Sequence, residues 1–536
     1  MSFLRSSIMA SSCLGLLGGM WVGIPAAQAL NLYSGDSAGQ DVEVNLDTTV
    51  EYSNMFRVNS PSATLKGPAN ANGNDGDADF QHGLVSNQIE VLPVFDFRFG
   101  NYGVHASGEA YLNTSYLQKN QNDEASTFNP FTPASNRDFT SATRNINGQE
   151  AKFLDTFVYG SQSFGEDGNQ QITVRVGRQT LLWGQSLFFT QNGIAAGQAP
   201  IDIITADGLP NAQTQQVVLP VGQAVVTYQP NQIFTIQGYY QFEWEHDQFQ
   251  GVGAYFSTSD ILGGGGQRLI LGPNSYLYRG KDVTPGQNGQ FGLSLHAHLG
   301  QYDLGLYGLR FDAKVPEVYI APGLGSQGAG SYWLVYPRDI SIYGTSVSTD
   351  IGPANVGAEM SFRHNMPLTS GAGVATAYPG SPGQGALYAV GNSFAAQASA
   401  IYVSPGIPLD PGGVSVDAEY AMNHVISVSS GRQFLTSGRT ATAGQFEVVV
   451  TPTYYSVIPN VDLEIPIGIT YNLFGRSEID STENHGTGSF SLGVTAVYRT
   501  TWTAGLTYND YLGAASSTLN PNADRGYISF NVEHTF

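Results

Sequence analysis

The sequence predicts an all-β chain closed into a transmembrane antiparallel barrel of about 18 strands, with short turns at one end and long loops at the other. Three observations predict it. Apolar and polar residues alternate with a two-residue period in segment after segment. Short and long connections between those segments alternate strictly along the chain. Composition excludes the usual soluble domain: only 12% of the 536 residues are charged, and Gly (65), Tyr (29) and Phe (28) are abundant. Beyond residue 30 there is no apolar run of 18 residues, so no transmembrane helix is expected there.

The elements follow in order. DVEVNLDTTVEYS (41–53) alternates Val42, Val44, Leu46, Val50 and Tyr52 with Glu43, Asn45, Asp47, Thr49 and Glu51. NQIEVLPVFDFRFG turns at Gly100-Asn101-Tyr102 into VHASGEAYLNTSY. KFLDTFVYGSQSF and QITVRVGRQTLLW are joined by GEDGN, and AVVTYQ and IFTIQGYYQFEW by Pro230-Asn231. FGLSLHAHL pairs with DLGLYGLRFD, ISIYGTSVSTD with VGAEMSFRH, and FAAQASAIYV with VSVDAEYAMNH. FEVVVTPTYY pairs with VDLEIPIGITYNLF, and FSLGVTAVYR with TWTAGLTYND. The last stretch, ISFNVEHTF, is one more strand, with Ile528, Phe530, Val532, His534 and Phe536 on one face. A cylinder in lipid must leave no edge unpaired, so this strand is expected to pair with the first. Many of these segments reach the length needed to cross a bilayer at a tilt.

The alternation also assigns the faces. Val461, Leu463, Ile465, Ile467 and Ile469 oppose Asp462, Glu464, Thr470 and Asn472; Met360 and Phe362 oppose Glu359, Ser361 and Arg363; Val414, Val416 and Tyr420 oppose Ser415, Asp417 and Glu419. A mid-membrane Arg or Lys facing lipid costs roughly 2–4 kcal/mol, so the strand arginines belong inside. The lumen candidates are Glu90, Asp96, Arg98, Glu109, Arg175, Arg178, Arg310, Glu359, Arg363, Asp417, Glu419 and Glu464. Arg178 lies three residues from Arg175 and is expected to turn inward only through a bulge at Gly177. These charges can form a substrate constriction or mutual ion pairs that hold the wall together.

The long connections carry the remaining signals. Residues 185–218 are less polar than an exposed loop should be, and are expected to fold into the lumen or over its mouth. NANGNDGDAD places Asn72, Asn74, Asp75, Asp77 and Asp79 at near-alternate positions, but departs from the full calcium-loop pattern and reads as a solvated polar loop. Residues 251–275, with glycine from 263 to 266, read as a mobile surface loop; no Lys-Ser/Thr follows to make a phosphate cradle. The histidines are scattered, and no G-x-S-x-G, H-E-x-x-H or Cys pair appears, so neither an enzyme nor a metal or other cofactor is expected.

Residues 1–29 have Arg5, a short apolar core and Ala27-Gln28-Ala29, the form of a cleaved export signal; the alternative is an N-terminal anchor. Residues 30–536 form the barrel in this reading. Cleavage would remove the single Cys13 and with it all thiol chemistry. The net charge of −21, without a basic stripe, excludes nucleic acid as a partner and disfavours passage of polyanions.

Several stretches resemble a known family: NDGDADF, VRVGRQTLLWGQSLFF, YYQFEWE followed by GAYFSTSD, and YWLVYPRDISIYGTSVST followed by VGAEMSFRHNMPL. They resemble the domain-of-unknown-function 1302 family of proteobacterial outer-membrane proteins, over nearly the whole chain after residue 29. Gly177-Arg178-Gln179 with Trp183-Gly184 is the most specific part; where the family often has Glu after Trp-Gly, this chain has Gln185. The resemblance implies an outer membrane containing lipopolysaccharide. It also implies association with a periplasmic lipid-carrier-like protein and an inner-membrane transporter, and movement of a hydrophobic compound or lipid. A channel or transporter for such a compound, a docking barrel and a nonspecific porin are the readings the sequence leaves open.

Overall fold

Eighteen barrel strands are present among the described residues of the structure, a computed structural model that describes residues 30–37, 40–165, 168–210, 212–324, 329–381, 385–404 and 412–536. The candidate export signal lies outside them. The first nine strands are β1 (Gln40–Arg57), β2 (Gly83–Phe99), β3 (Tyr102–Asn113), β4 (Gln149–Phe164), β5 (Gln170–Gln179), β6 (Val221–Gln229), β7 (Phe234–Gln241), β8 (Gln290–Leu299) and β9 (Tyr302–Phe311). The second nine are β10 (Ile340–Ile351), β11 (Ala354–Leu368), β12 (Ala389–Ser404), β13 (Gly413–Ser430), β14 (Thr442–Ile458), β15 (Val461–Glu464 and Ile467–Phe474), β16 (Gly488–Tyr498), β17 (Trp502–Leu512) and β18 (Tyr527–Thr535). Each pairs antiparallel with its neighbours in sequence. β15 is split because Pro466 has no N–H to give the ladder; its carbonyl instead accepts from Gly493 N at 2.8 Å.

The cylinder closes where the terminal strands meet. β18 pairs with β1 from Tyr527↔Arg57 to Thr535↔Thr49. Phe536 N donates to Thr48 O at 3.0 Å. On the outer face of this seam His534 stacks on Trp502 at 4.2 Å and meets Phe536 edge-on at 4.3 Å. The strand Leu30–Ser37 folds back onto the foot of β1.

Exposure alternates as the sequence predicts, with Leu293, Leu295, Leu304, Leu306, Val174 and Val176 facing outward. Tyr102, Tyr302, Tyr498 and Trp502 ring the short-turn end, and Phe56, Tyr240, Phe291, Tyr343 and Phe362 the long-loop end. An apolar band between aromatic girdles is the construction of a membrane barrel. By that construction the short turns are periplasmic and the long loops extracellular.

Two arginines depart from the predicted faces. Arg310 lies between Leu309 and Phe311, which point inward, so it points out; it ends β9 at the loop rim, where it pairs with Asp339. At the rim an outward cation reaches water and headgroups without crossing hydrocarbon. Arg178 also points out. Pairing is unbroken through Gly177 on both sides, so no bulge turns it in. It too sits at the rim, 3.5 Å from Glu243 and donating to Pro220 O at 3.2 Å. The bulge lies on the adjoining strand: Leu154 and Asp155 of β4 together oppose the single Ser107 of β3.

The long loops form a packed cap, which also departs from expectation. Residues 72–79 are not solvated: Asp75, Asp77 and Asp79 are each at most 2% exposed. Asp77 takes Arg57 at 2.9 Å and Arg525 at 3.0 Å, locking the loop after β1 to the loop before β18. Residues 251–275 are not a free surface loop, because Ala254, Tyr255 and Phe256 are buried against Met55, Phe80 and Tyr527. A small second sheet (268–272, 275–279, 317–322, 330–335 and 373–374) encloses Trp244, Leu277, Tyr332 and Leu334.

Candidate functional site

Between β5 and β6 the chain leaves the wall at Gln179 and returns at Val221, its ladder partner. Residues 180–220 are far longer than the roughly 12–15 residues beyond which a loop is usually functional. Pro200, Pro210 and Pro220 and the lack of a two-residue period prevent another strand. Their apolar content prevents a solvated loop. The segment enters the lumen as short turns: Ile194–Gly197, Ile203–Gly208 and Thr214–Val217.

Its first half is held by the wall at β11–β13. Glu359 accepts from Gln185 N at 2.5 Å and Ile194 N at 2.9 Å. Arg363 donates to the carbonyls of Gln191 (3.0 Å), Asn192 (2.6 Å) and Gly193 (2.8 Å). Glu419 accepts from Leu187 N (3.2 Å), Phe188 N (2.6 Å) and Phe189 N (2.9 Å). The second half is held by β2–β4. Lys152 pairs with Asp202 and lies 3.5 Å from Glu109, and Gln216 donates to Glu90. These two sets of strands stand nine staves apart in an 18-stave cylinder, on opposite walls. The segment therefore crosses the bore.

Between them runs an apolar strip of inner wall. Val225, Tyr239, Tyr307, Leu309, Ile340 and Ile342 point inward and pack on Leu181, Trp183 and Ile194. Trp183 is oriented by Nε1–H to Gln237 Oε1 at 2.7 Å and by its amide to Gln198 Oε1 at 2.6 Å. Wall and segment meet through glycine. Gly184 has φ +104, and a Cβ there would lie 2.0 Å from the Glu359 carboxylate. A Cβ on Gly344 would lie 2.7 Å from Ile194. The Trp183-Gly184 motif is thus the joint at which the segment docks: an aromatic anchor, then a residue that lets the acid reach the backbone.

Apart from the outward Arg178 and Arg310, the predicted lumen residues divide into two tiers. Glu90, Glu359, Arg363 and Glu419 hold the segment, and Glu109 stands behind it, 3.5 Å from Lys152 of the wall. Asp96, Arg98, Arg175, Asp417 and Glu464 line the lumen nearer the short-turn end and make no hydrogen bond to the segment among the described residues. There Asp96 bonds His105 at 2.8 Å, Arg98 lies 3.5 Å from Glu43, and Arg175 lies over the Phe157 ring at 5.8 Å. Sequence reasoning missed Lys152, since the β4 bulge interrupts the alternation that would have assigned it. It also missed Asp202 and Gln216, which lie in the segment and carry no period. Among the described residues no three His, Cys, Asp or Glu side chains are grouped to hold a metal ion.

A closed, lipid-facing antiparallel cylinder whose bore is crossed by one of its own loops is a transmembrane β-barrel with an internal constriction. The chain belongs to the family described as "Protein of unknown function (DUF1302)", which it matches over residues 9–536. Among curated proteins none is detectably similar to it. Among solved structures it is similar to OccAB4 of Acinetobacter baumannii (7% identity, 92% of this chain and 98% of that chain, TM-score 0.44). It is also similar to OccK9 (OpdG) of Pseudomonas aeruginosa (9%, 92% and 97%, 0.41) and to a BenF-like porin from Pseudomonas fluorescens Pf-5 (9%, 92% and 98%, 0.41).

Proposed function

We propose that this protein is an outer-membrane channel for a hydrophobic or weakly polar organic compound or lipid, and that residues 180–220 are its gate. The observation that supports this is the apolar strip. A water-filled barrel is polar inside; here β6, β7, β9 and β10 turn Val225, Tyr239, Tyr307, Leu309, Ile340 and Ile342 into the bore, where they meet Leu181, Trp183 and Ile194 of the segment. The segment is held across the bore by hydrogen bonds and ion pairs, which can exchange. A periplasmic lipid-carrier-like protein and an inner-membrane transporter are the partners this reading calls for.

The test is flux into proteoliposomes made with the purified barrel. Small apolar solutes should enter faster than glucose or chloride, and faster than into liposomes without protein. Equal, rapid passage of glucose and ions would make the protein a nonspecific porin. No flux of any solute would leave a docking barrel.

A further inference from the structure

The loop-side face of the segment forms one wall of a cavity of ≈ 170 Å³. Phe311, Ile340, Met366 and Leu368 supply much of its lining, so the apolar strip of the bore runs into it. A cavity of about 150 Å³ with such walls holds one benzene ring. Polar groups also line it, and two of them keep N–H donors without an acceptor among the described residues. Lys314 is 6% exposed, and its ammonium makes one hydrogen bond, to Gly197 O at 3.3 Å, with no carboxylate within ion-pair distance among the described residues. Arg363 spends its terminal nitrogens on the segment, but its buried Nε–H has no partner among the described residues. The Glu317 carboxyl, half-buried, takes no hydrogen bond among the described residues and is the converse.

Among the residues that line the cavity, cations and ionised acids are equal in number, and Asp312, Glu359 and Glu483 lie near the two cations behind it. Lys314 and Arg363 are the cations. Asp247, which accepts from Ile201 N at 2.9 Å, and Asp480, which accepts from Thr482 N at 2.8 Å, are the anions. Burial pushes the Glu317 carboxyl up to about 8 and Lys314 down to about 8, so near neutral pH both favour their protonated, donating forms. An anionic ligand would face Asp247 and Asp480, and a cationic one Lys314 and Arg363; a neutral hydroxyl can accept from Lys314 and donate or accept at Glu317.

We infer that this cavity is a binding site for a small neutral molecule with an apolar, ring-sized body and one hydroxyl, the class of a simple phenol, held by Lys314 at its oxygen. The inference deepens the channel reading and rests on it for its purpose. Binding is therefore measured apart from flux, so that saturable binding in a barrel that passes no solute would uphold the site and defeat the channel. The barrel is placed in lipid nanodiscs and titrated with 4-fluorophenol, 4-fluorobenzoate and 4-fluorobenzylammonium, followed by fluorine NMR. Saturable binding of 4-fluorophenol is expected, with both charged probes about ten-fold weaker or more. Lys314→Met should weaken the phenol about ten-fold by removing its donor, and Met366→Trp should abolish it by filling the space. Heat-modifiable gel mobility confirms that each variant is folded. Absence of saturable phenol binding, a charged probe binding as tightly as the phenol, or a folded Lys314→Met that binds unchanged would each overturn the site.

Discussion

Glu419 shows what a single side chain does in this molecule. Its carboxylate receives three consecutive amides of the segment, Leu187 to Phe189, on the inside of β13. Alanine there leaves buried donors unpaired at about 1–3 kcal/mol each. Glu419→Ala should therefore raise the open probability of the channel in planar bilayers, and Glu419→Gln should raise it less because one oxygen still accepts. At Gly344 the effect is steric: valine would meet Ile194, and overpacking costs about 1–3 kcal/mol. Gly344→Val is expected to loosen the segment while the barrel stays folded, read as faster protease cleavage within 185–218. The two neighbouring arginines of β5 separate inside from outside. Reversing Arg175 should shift the reversal potential in a salt gradient toward cation selectivity; reversing Arg178, which faces out at the rim, should leave it unchanged.

At the scale of elements, the strands were legible and the segment's destination partly so. Period-two alternation and turn residues located every barrel strand, because each must show lipid one face and the lumen the other. The sequence DLGLYGLRFD carries Leu304 and Leu306 on one face and Tyr307, Leu309 and Phe311 on the other. Apolar residues on both faces of a barrel strand signal that something apolar fills the bore beside it. The arginine placements failed for a different reason: the membrane penalty falls to about 0–1 kcal/mol near the interfaces, so residues at strand ends such as Arg178 and Arg310 are not forced inward. The short strands of the cap were illegible because a sheet packed on both sides shows no alternation. The acids at 75–79 looked solvated since their partners, Arg57 and Arg525, are remote in sequence.

For the whole molecule, the seam between β1 and β18 and the charged cap above it form one unit. Asp75, Asp79 and Asp260 are buried close together in that cap; burial raises each carboxyl above its ordinary range, Asp260 to about 7, and the charge of Asp260 raises Asp75 and Asp79 further. A carboxyl whose folded pKa is raised contributes stability fully below its ordinary value near 4; that contribution is lost as pH rises through the raised value. The urea midpoint should therefore be higher at pH 5 than at pH 8, and Asp260→Asn should flatten the difference.

The central claim is that residues 180–220 cross and restrict the bore. Because Gln179 and Val221 are ladder partners, a short Gly-Ser linker in place of residues 185–217 can span the gap between β5 and β6. Single-channel conductance of that variant and of the intact barrel in planar bilayers is the direct measurement. A low, flickering conductance that becomes large and steady when the segment is removed is the predicted result; equal conductances would contradict it.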